Sequence, residues 1–201
     1  MNRILWAAVA AMTLLLPSPC QARSWSIDDN HTQAAFSIRH VAGKVLGFFN
    51  KFEGTIVDPD MPGHGMIDVR IAVDSINTGV EQRDAHLKTA DFFDSADNPQ
   101  IHFTSAKIMA KGDGWFEAHG VLTIRGINRS MVLPFTLTEI KKYPPVPGME
   151  CMDVLGFQAH ATLNRLDFEV GDGKFYKLGI VDDTVGITLY GELLSPRPDC
   201  H

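Results

Sequence analysis

Polar and apolar residues alternate along most of this chain. In "AAFSIRH", Phe36, Ile38 and His40 alternate with Ala35, Ser37 and Arg39. In "GMIDVRIAVDSI", Ile67, Val69, Ile71 and Val73 fall on one side, and Asp68, Arg70 and Asp74 on the other. "WFEAHGVLTIRG" sets Phe116, Ala118, Leu122 and Ile124 against Glu117, His119, Thr123 and Arg125. "LGFQAHATLNR" sets Leu155, Phe157, Ala159, Ala161 and Leu163 against Gln158, His160, Thr162 and Asn164. A period of two puts successive side chains on opposite faces of a strand, so each segment reads as a strand with one dry face and one wet face.

Turn residues separate these segments. "DPDMPGHG" breaks the chain before Met66, "KGDG" and "RGINR" mark hairpins at Gly112–Gly114 and Gly126, and "KYPPVPG" is a loop that no strand crosses. The pattern predicts about eight strands, near 32–40, 45–58, 64–74, 100–111, 115–125, 129–140, 153–164 and 184–194. Only "EQRDAHLKTADFF" departs from it. Ala85, Leu87, Lys88 and Ala90 favour helix, and Leu87, Ala90 and Phe93 have a loosely helical spacing. This segment predicts one short connecting helix, ended before Asn98-Pro99.

About eight antiparallel strands with one helix and no second domain make an all-β fold, a single barrel or a sandwich. The barrel is favoured because closure removes exposed edges. At this strand number the interior holds either side chains alone or one small ligand. The candidate wall residues are Phe36, Ile38, Phe48, Phe52, Val69, Ile71, Phe103, Leu122, Phe135, Phe157 and Leu163. They are all hydrocarbon, so any guest is hydrocarbon too, held by burial at about 25 cal/mol per Å2. On alternation alone, the same residues fill a solid core equally well.

The N-terminus carries a different pattern. After Asn2 and Arg3, "ILWAAVAAMTLLL" is an uncharged run, followed by Pro17 and a small-residue end at Ala22. This is the pattern of a secretory signal cleaved near Ala22, and it is short for a bilayer span. A buried helix and lipoprotein processing at Cys20 are the alternatives; "PSP" before Cys20 argues against the latter. The expected organisation is a signal at 1–22 and one barrel domain at 23–201, working in the periplasm.

Charge narrows the partners. Without Arg3 the chain keeps 17 basic against 24 acidic residues, a net charge of −7. No basic run appears, so nucleic acid and anionic membrane surfaces are repelled. No later apolar run is long enough to span a membrane. The mature chain keeps two cysteines, Cys151 and Cys200, and an oxidising compartment allows a disulfide between them; two free thiols are the alternative.

Candidate chemistry concentrates in "QRDAHLKTADFFD", which holds Arg83, Asp84, His86, Asp91 and Asp94. An acid–base group needs such residues, and helical spacing brings Arg83 beside His86. Yet no Ser or Cys nucleophile lies in the segment, and no G-x-S-x-G occurs in the chain. The plainer reading pairs Arg83 with nearby carboxylates, while Leu87, Phe92 and Phe93 anchor the helix over the barrel. A third reading gives Arg83 and His86 a lipid head group to contact. His40, His102, His119 and His160 are scattered, with no metal-binding motif, so no metal is expected. "LNRLDFEVGDGKF" carries Arg165, Asp167, Glu169 and Asp172; two carboxylates two apart suit acid–base chemistry, the plainer reading is a turn held by an Arg–Asp pair, and "GDGK" is too short for a phosphate-cradling loop.

Four segments, in order, carry a family resemblance: "FSIRHVAGKVLGFFNKFEGTI", "RDAHLKTADFFDSADNPQIHFTS", "GVLTIRGINRSMVLPF" and "LNRLDFEVG". Together they make the chain, from about Trp25 to Leu194, similar to the YceI-like family. The resemblance implies an exported, lipocalin-like barrel that carries a polyisoprenoid or another long-chain amphiphile, and it implies a homodimer, as some members form. It favours the hollow interior over the filled one. In "LNRLDFEVG" this chain departs from the family, placing Glu169 where glycine is usual.

The resulting expectation is non-enzymatic binding and sequestration or transport of a lipid, with that lipid as the ligand and no other cofactor. Two alternatives belong to other classes: an enzyme acting on a small apolar substrate, and an accessory interaction module of a membrane redox system.

Overall fold

The computed structural model describes residues 22–59, 63–197 and 199–200. The expected signal at 1–22, with Cys20, lies outside them apart from Ala22. Eleven strands form in chain order: β1 (Ser24–Ile27), β2 (Gln33–His40), β3 (Gly43–Phe49), β4 (Phe52–Val57), β5 (Met66–Ala72), β6 (Gln100–Gly112), β7 (Trp115–Ile124), β8 (Ile127–Leu137), β9 (Lys141–Lys142), β10 (Met152–Asn164) and β11 (Val181–Pro196). Helix α1 spans Glu81–Lys88 and α2 spans Lys174–Lys177.

Eight of these strands close a barrel. The ring runs β11-β1-β4-β5-β6-β7-β8-β10 and returns to β11, with every pairing antiparallel. Two-residue turns connect β6 to β7 and β7 to β8. Asp113 and Gly114 have φ of 52° and 77°, and Arg125 and Gly126 have φ of 51° and 70°. Positive φ at both positions matches the right-handed twist of the flanking strands.

The two ends of the barrel differ. At one end β1 completes the ring, pairing Ser26 with Leu194 on β11 and Trp25 with Ile56 on β4. Trp25 is 1% exposed and packs with Ile56, Leu155 and Leu193, so this end is plugged. Arg23 braces the plug: its guanidinium lies 4.3 Å from the Trp25 ring centroid and 2.7 Å from the Asp153 carboxylate. Cys151 and Cys200 are joined by a disulfide at the same end, with Cα atoms 5.6 Å apart.

At the other end β2 takes the place of β1 beside β11, from Tyr190 to Val181, and β3 pairs with β2. Among the described residues the only backbone pairing of β3 beyond β2 is an isolated bridge between Phe48 and Asn77. The wall is therefore incomplete here. Helix α1 and the turn after it cover the gap, with Leu87 of the helix and Phe92 and Phe93 of the turn packed against the cluster that holds Phe49, Ile76 and Val170.

Several expectations need correction. The strand expected at 45–58 is two, β3 and β4, because the chain changes partners at Asn50–Lys51. Asn50 N–H donates to Ser75 Oγ (3.2 Å), Phe52 N–H donates to Asp29 Oδ1 (3.0 Å), and the Lys51 carbonyl accepts from Ala72 (3.0 Å). The connecting helix ends at Lys88, before the Leu87–Phe93 spacing is complete. The pattern does not predict strands β1 and β9 or helix α2, and the strand expected at 64–74 ends at Ala72, where Val73–Ser75 form a 3₁₀ turn. Among the described residues no helix is long and apolar enough to cross a membrane.

Candidate functional site

The inward faces of the strands leave space between them. An inner cavity of about 170 Å3 is walled by β1–β8, β10 and β11, including Phe36, Phe52, Val69, Ile71, Phe103, Leu122, Phe135, Phe157 and Leu163. An outer chamber of about 370 Å3 adjoins it under α1, lined by Ile38, His40, Val45, Arg83, His86, Leu87, Phe92, Phe93, Arg165, Phe175 and Ile180, among others. The two share Phe36, Phe49, Ile101, Ile124, Leu163 and Ile187 in their walls, so they adjoin at a common boundary. Of the side chains lining the inner cavity Thr32 alone is polar, and its Oγ1 is buried with no hydrogen-bond partner among the described residues. A cavity of this size with hydrocarbon walls is dry and accepts apolar guests.

Ten of the eleven expected wall residues line one or other compartment; Phe48 does not. Along β3, Val45, Gly47 and Phe49 point inward, and Phe48 points out on the opposite face, opposite Ala35 and bridged to Asn77. Two adjacent phenylalanines give the alternation no way to choose between them. Gly47 settles the register, because a side chain there would collide with the Phe36 ring.

Arg83 and His86 both line the outer chamber. Contrary to the plainer expectation, Arg83 forms no ion pair among the described residues. Its Nε donates to Thr78 Oγ1 (2.7 Å) and its Nη2 to the Thr78 carbonyl (2.9 Å), while Asp84 accepts from the Thr78 amide (2.9 Å) and hydroxyl (2.5 Å). Arg83 and Asp84 thus fix the entry to α1 through a shared threonine. His86 pairs with Asp91 (3.1 Å), and its ring stands edge-on to Phe92 at 5.0 Å between centroids.

The turn after β10 is the part of the site the sequence concealed. Arg165 was expected in an Arg–Asp pair. Instead its Nε donates to the Asp182 carbonyl (2.8 Å) and its Nη1 to the Val170 carbonyl (2.6 Å). Burial pushes its guanidinium below the usual arginine value, an effect opposed by the charges of Asp183, Asp172 and Asp182. Glu169 adopts the left-handed conformation, φ 54° and ψ 28°, at the end of the 3₁₀ turn Arg165–Phe168. Arg125 Nη1 donates to the carbonyls of Glu169 and Ala90, each at 3.0 Å, and to that of Phe92. One side chain from the β7–β8 turn therefore ties the segment after α1 to the turn after β10, and both border the outer chamber.

The scattered histidines have local partners: His102 with Asp68 (2.9 Å), His119 with Glu117 (3.1 Å), and His160 with Thr188 Oγ1 (3.2 Å). The structure also brings together a group the sequence did not, Asp28, His31 and Glu192, with ligand atoms within 4.8 Å of one another. Asp28 there caps a 3₁₀ turn, accepting from the Asn30 amide (2.9 Å) and lying 2.8 Å from His31 Nδ1.

Comparison with known proteins places this arrangement. A UPF0312 protein of Shewanella denitrificans is 30% identical over 137 residues, 66% of this chain and 72% of its own. One from Pectobacterium atrosepticum is 30% identical over 145 residues, 71% of this chain and 72% of its own. Among solved structures, the Campylobacter jejuni YceI protein superposes with a TM-score of 0.62 at 26% identity, covering 74% of this chain and 83% of that one. Burkholderia cenocepacia BcnA does so at 0.73 and 24% identity, covering 84% and 99%. A polyisoprenoid binding domain from Saccharophagus degradans shares the fold at 0.65 and 12% identity, covering 88% and 100%. The YceI-like domain is matched from residue 25 to residue 193, and with its closed eight-stranded barrel this chain belongs to that family.

Proposed function

We propose that this protein is a non-enzymatic carrier that sequesters a long-chain amphiphile, a polyisoprenoid or similar lipid, in the periplasm after export. One observation carries the reading: the barrel interior holds two adjoining apolar compartments, about 170 and 370 Å3, closed at the Trp25 end, with the charged side chains of the lining, Arg83, His86 and Arg165 among them, confined to the outer chamber. Such a space fits a guest with a hydrocarbon tail and a polar head. The tail lies toward the plugged end, and the head stays in the outer chamber near Arg83 and His86.

The energetics favour retention. Each methylene moved from water into the barrel contributes about 0.8 kcal/mol, so a tail of about ten carbons gains roughly 8 kcal/mol before ordering costs. The inner wall offers no acid, base or nucleophile besides the Thr32 hydroxyl, which fits binding better than turnover. The carrier needs no cofactor beyond its guest. The Saccharophagus degradans neighbour, described as polyisoprenoid binding, is in keeping with the lipid class.

The test compares two phenylalanines. Phe157 lines the inner cavity and Phe48 faces away from it. Phe157→Asp places a charge in the apolar wall and abolishes lipid retention, measured by mass spectrometry of the organic extract. Phe48→Thr leaves retention as it was. A folded Phe157→Asp protein that keeps its lipid would contradict the reading.

A further inference from the structure

Arg165 is 6% exposed and lines the outer chamber. Its two hydrogen bonds go to neutral carbonyls, those of Asp182 and Val170. Three carboxylates stand in its neighbourhood, but each is engaged elsewhere or apart. Asp182 is held by Arg39 at 3.0 Å, Asp183 accepts from Asn164 (3.0 Å) and Thr184 (3.0 Å), and Asp172 accepts from the Lys174 amide (2.8 Å). Among the described residues Arg165 forms no ion pair, and its Nη2 donates to nothing.

The guanidinium is also fixed in place. A side chain at Gly171 would come within 2.5 Å of Arg165 Nη1 and 3.4 Å of the Phe92 ring. The ring of Phe92 in turn packs against His86. The arginine is thus oriented by two carbonyls and by close packing, with unspent N–H groups beside an apolar chamber.

A buried cation is costly unless a counter-charge meets it, and a guanidinium suits oxyanions because its N–H groups are planar and forked. Neutral carbonyls orient such a cation, and the charges of Asp183, Asp172 and Asp182 offset its burial only in part. We propose that Arg165 is an anion anchor: it takes the phosphate or carboxylate head of an amphiphile whose tail occupies the inner cavity. This rests on the carrier reading and narrows it to anionic amphiphiles. Arg83 and His86, on the same chamber, stand at the head group's outer side, where Arg83 keeps an Nη1 group unspent by Thr78.

The experiment uses a chain-matched pair, farnesyl phosphate and farnesol, titrated into the delipidated full-length mature protein. The phosphate is expected to bind at least about tenfold more tightly, the size of a charge-assisted hydrogen bond. In a folded Arg165→Gln protein that preference disappears while farnesol affinity is unchanged, a split that loss of a merely structural contact would not produce. If Arg165→Gln does not fold, Arg165→Lys takes its place and is expected to keep part of the preference. Equal affinity for the two ligands in the unsubstituted protein overturns the anchor and leaves the carrier reading standing. Binding of neither overturns both. A preference that survives Arg165→Gln but is lost in Arg83→Gln moves the anchor to α1 and overturns the assignment. Binding of inorganic phosphate as tightly as farnesyl phosphate also overturns it, since no tail would then be needed.

Discussion

Phe36 and Gly47 face each other across the β2–β3 pair, and the phenylalanine ring fills the space that a side chain at 47 would need. Phe36 lies in the wall of both compartments, so this contact sits at the boundary between them. Gly47→Val displaces the ring. We expect a folded barrel with less bound lipid per protein, read by native mass spectrometry alongside circular dichroism. Undiminished loading would show that the guest does not cross this boundary.

Glu169 occupies a left-handed position, φ 54°, that glycine adopts without strain. A non-glycine residue there costs about 1 kcal/mol. Its carbonyl bond to Arg125 is a backbone contact and survives substitution. Glu169→Gly is therefore expected to stabilise the protein by about 1 kcal/mol in denaturant unfolding, with lipid content unchanged. A destabilised variant would mean that the Glu169 side chain has a role this geometry does not reveal.

The Cys151–Cys200 disulfide spans a sequence separation of 49, enclosing β10 and β11. Loop-closure entropy for a ring of that length amounts to roughly 4 kcal/mol, and measured values usually fall below the ideal. Cys200→Ser should lower stability by about 2–4 kcal/mol. Lipid retention should persist, because the bond sits at the plugged end, away from the chamber. Lost retention in a folded variant would place the entry route at that end instead.

The parts legible in the sequence were those where one residue decides one face. Strands β5, β7 and β10 alternate cleanly, and their inward sets, such as Leu155, Phe157, Ala159, Ala161 and Leu163, are the ones that line the core or cavity. Elsewhere tertiary pairing made the decision. β1 has four residues, too few for a period to register, and is defined by its partners β4 and β11. The β3–β4 break carries no glycine or proline, because the chain changes neighbours there without turning back. Phe48 and Phe49 are equivalent until Phe36 and Gly47 pair. Arg165 looked like half of an ion pair in a short turn. Only folding shows that carbonyls of Val170 and Asp182 reach it first and that it borders the chamber.

The Asp28–His31 contact, 2.8 Å, makes a pH prediction. The hydrogen bond that His31 donates to Asp28, reinforced by the charges of Asp28 and Glu192, raises the imidazole above its ordinary value of about 6.5. A raised value in the folded state means that folding favours the protonated ring. The contribution is complete below the ordinary imidazole value and disappears as pH rises through the raised one. The difference in Tm between the unsubstituted protein and His31→Gln should thus be larger at about pH 5.5 than at about pH 8.5. An equal difference at both would contradict the assigned coupling.

Lipid carriage requires vacant interior space that a tail enters, and the mass of the intact protein reports this most directly. Native mass spectrometry of the purified, mature protein should show an excess over the polypeptide that vanishes on organic extraction and reappears in the extract as an amphiphile. A mass equal to the polypeptide alone, unchanged when long-chain amphiphiles are titrated in, would contradict it.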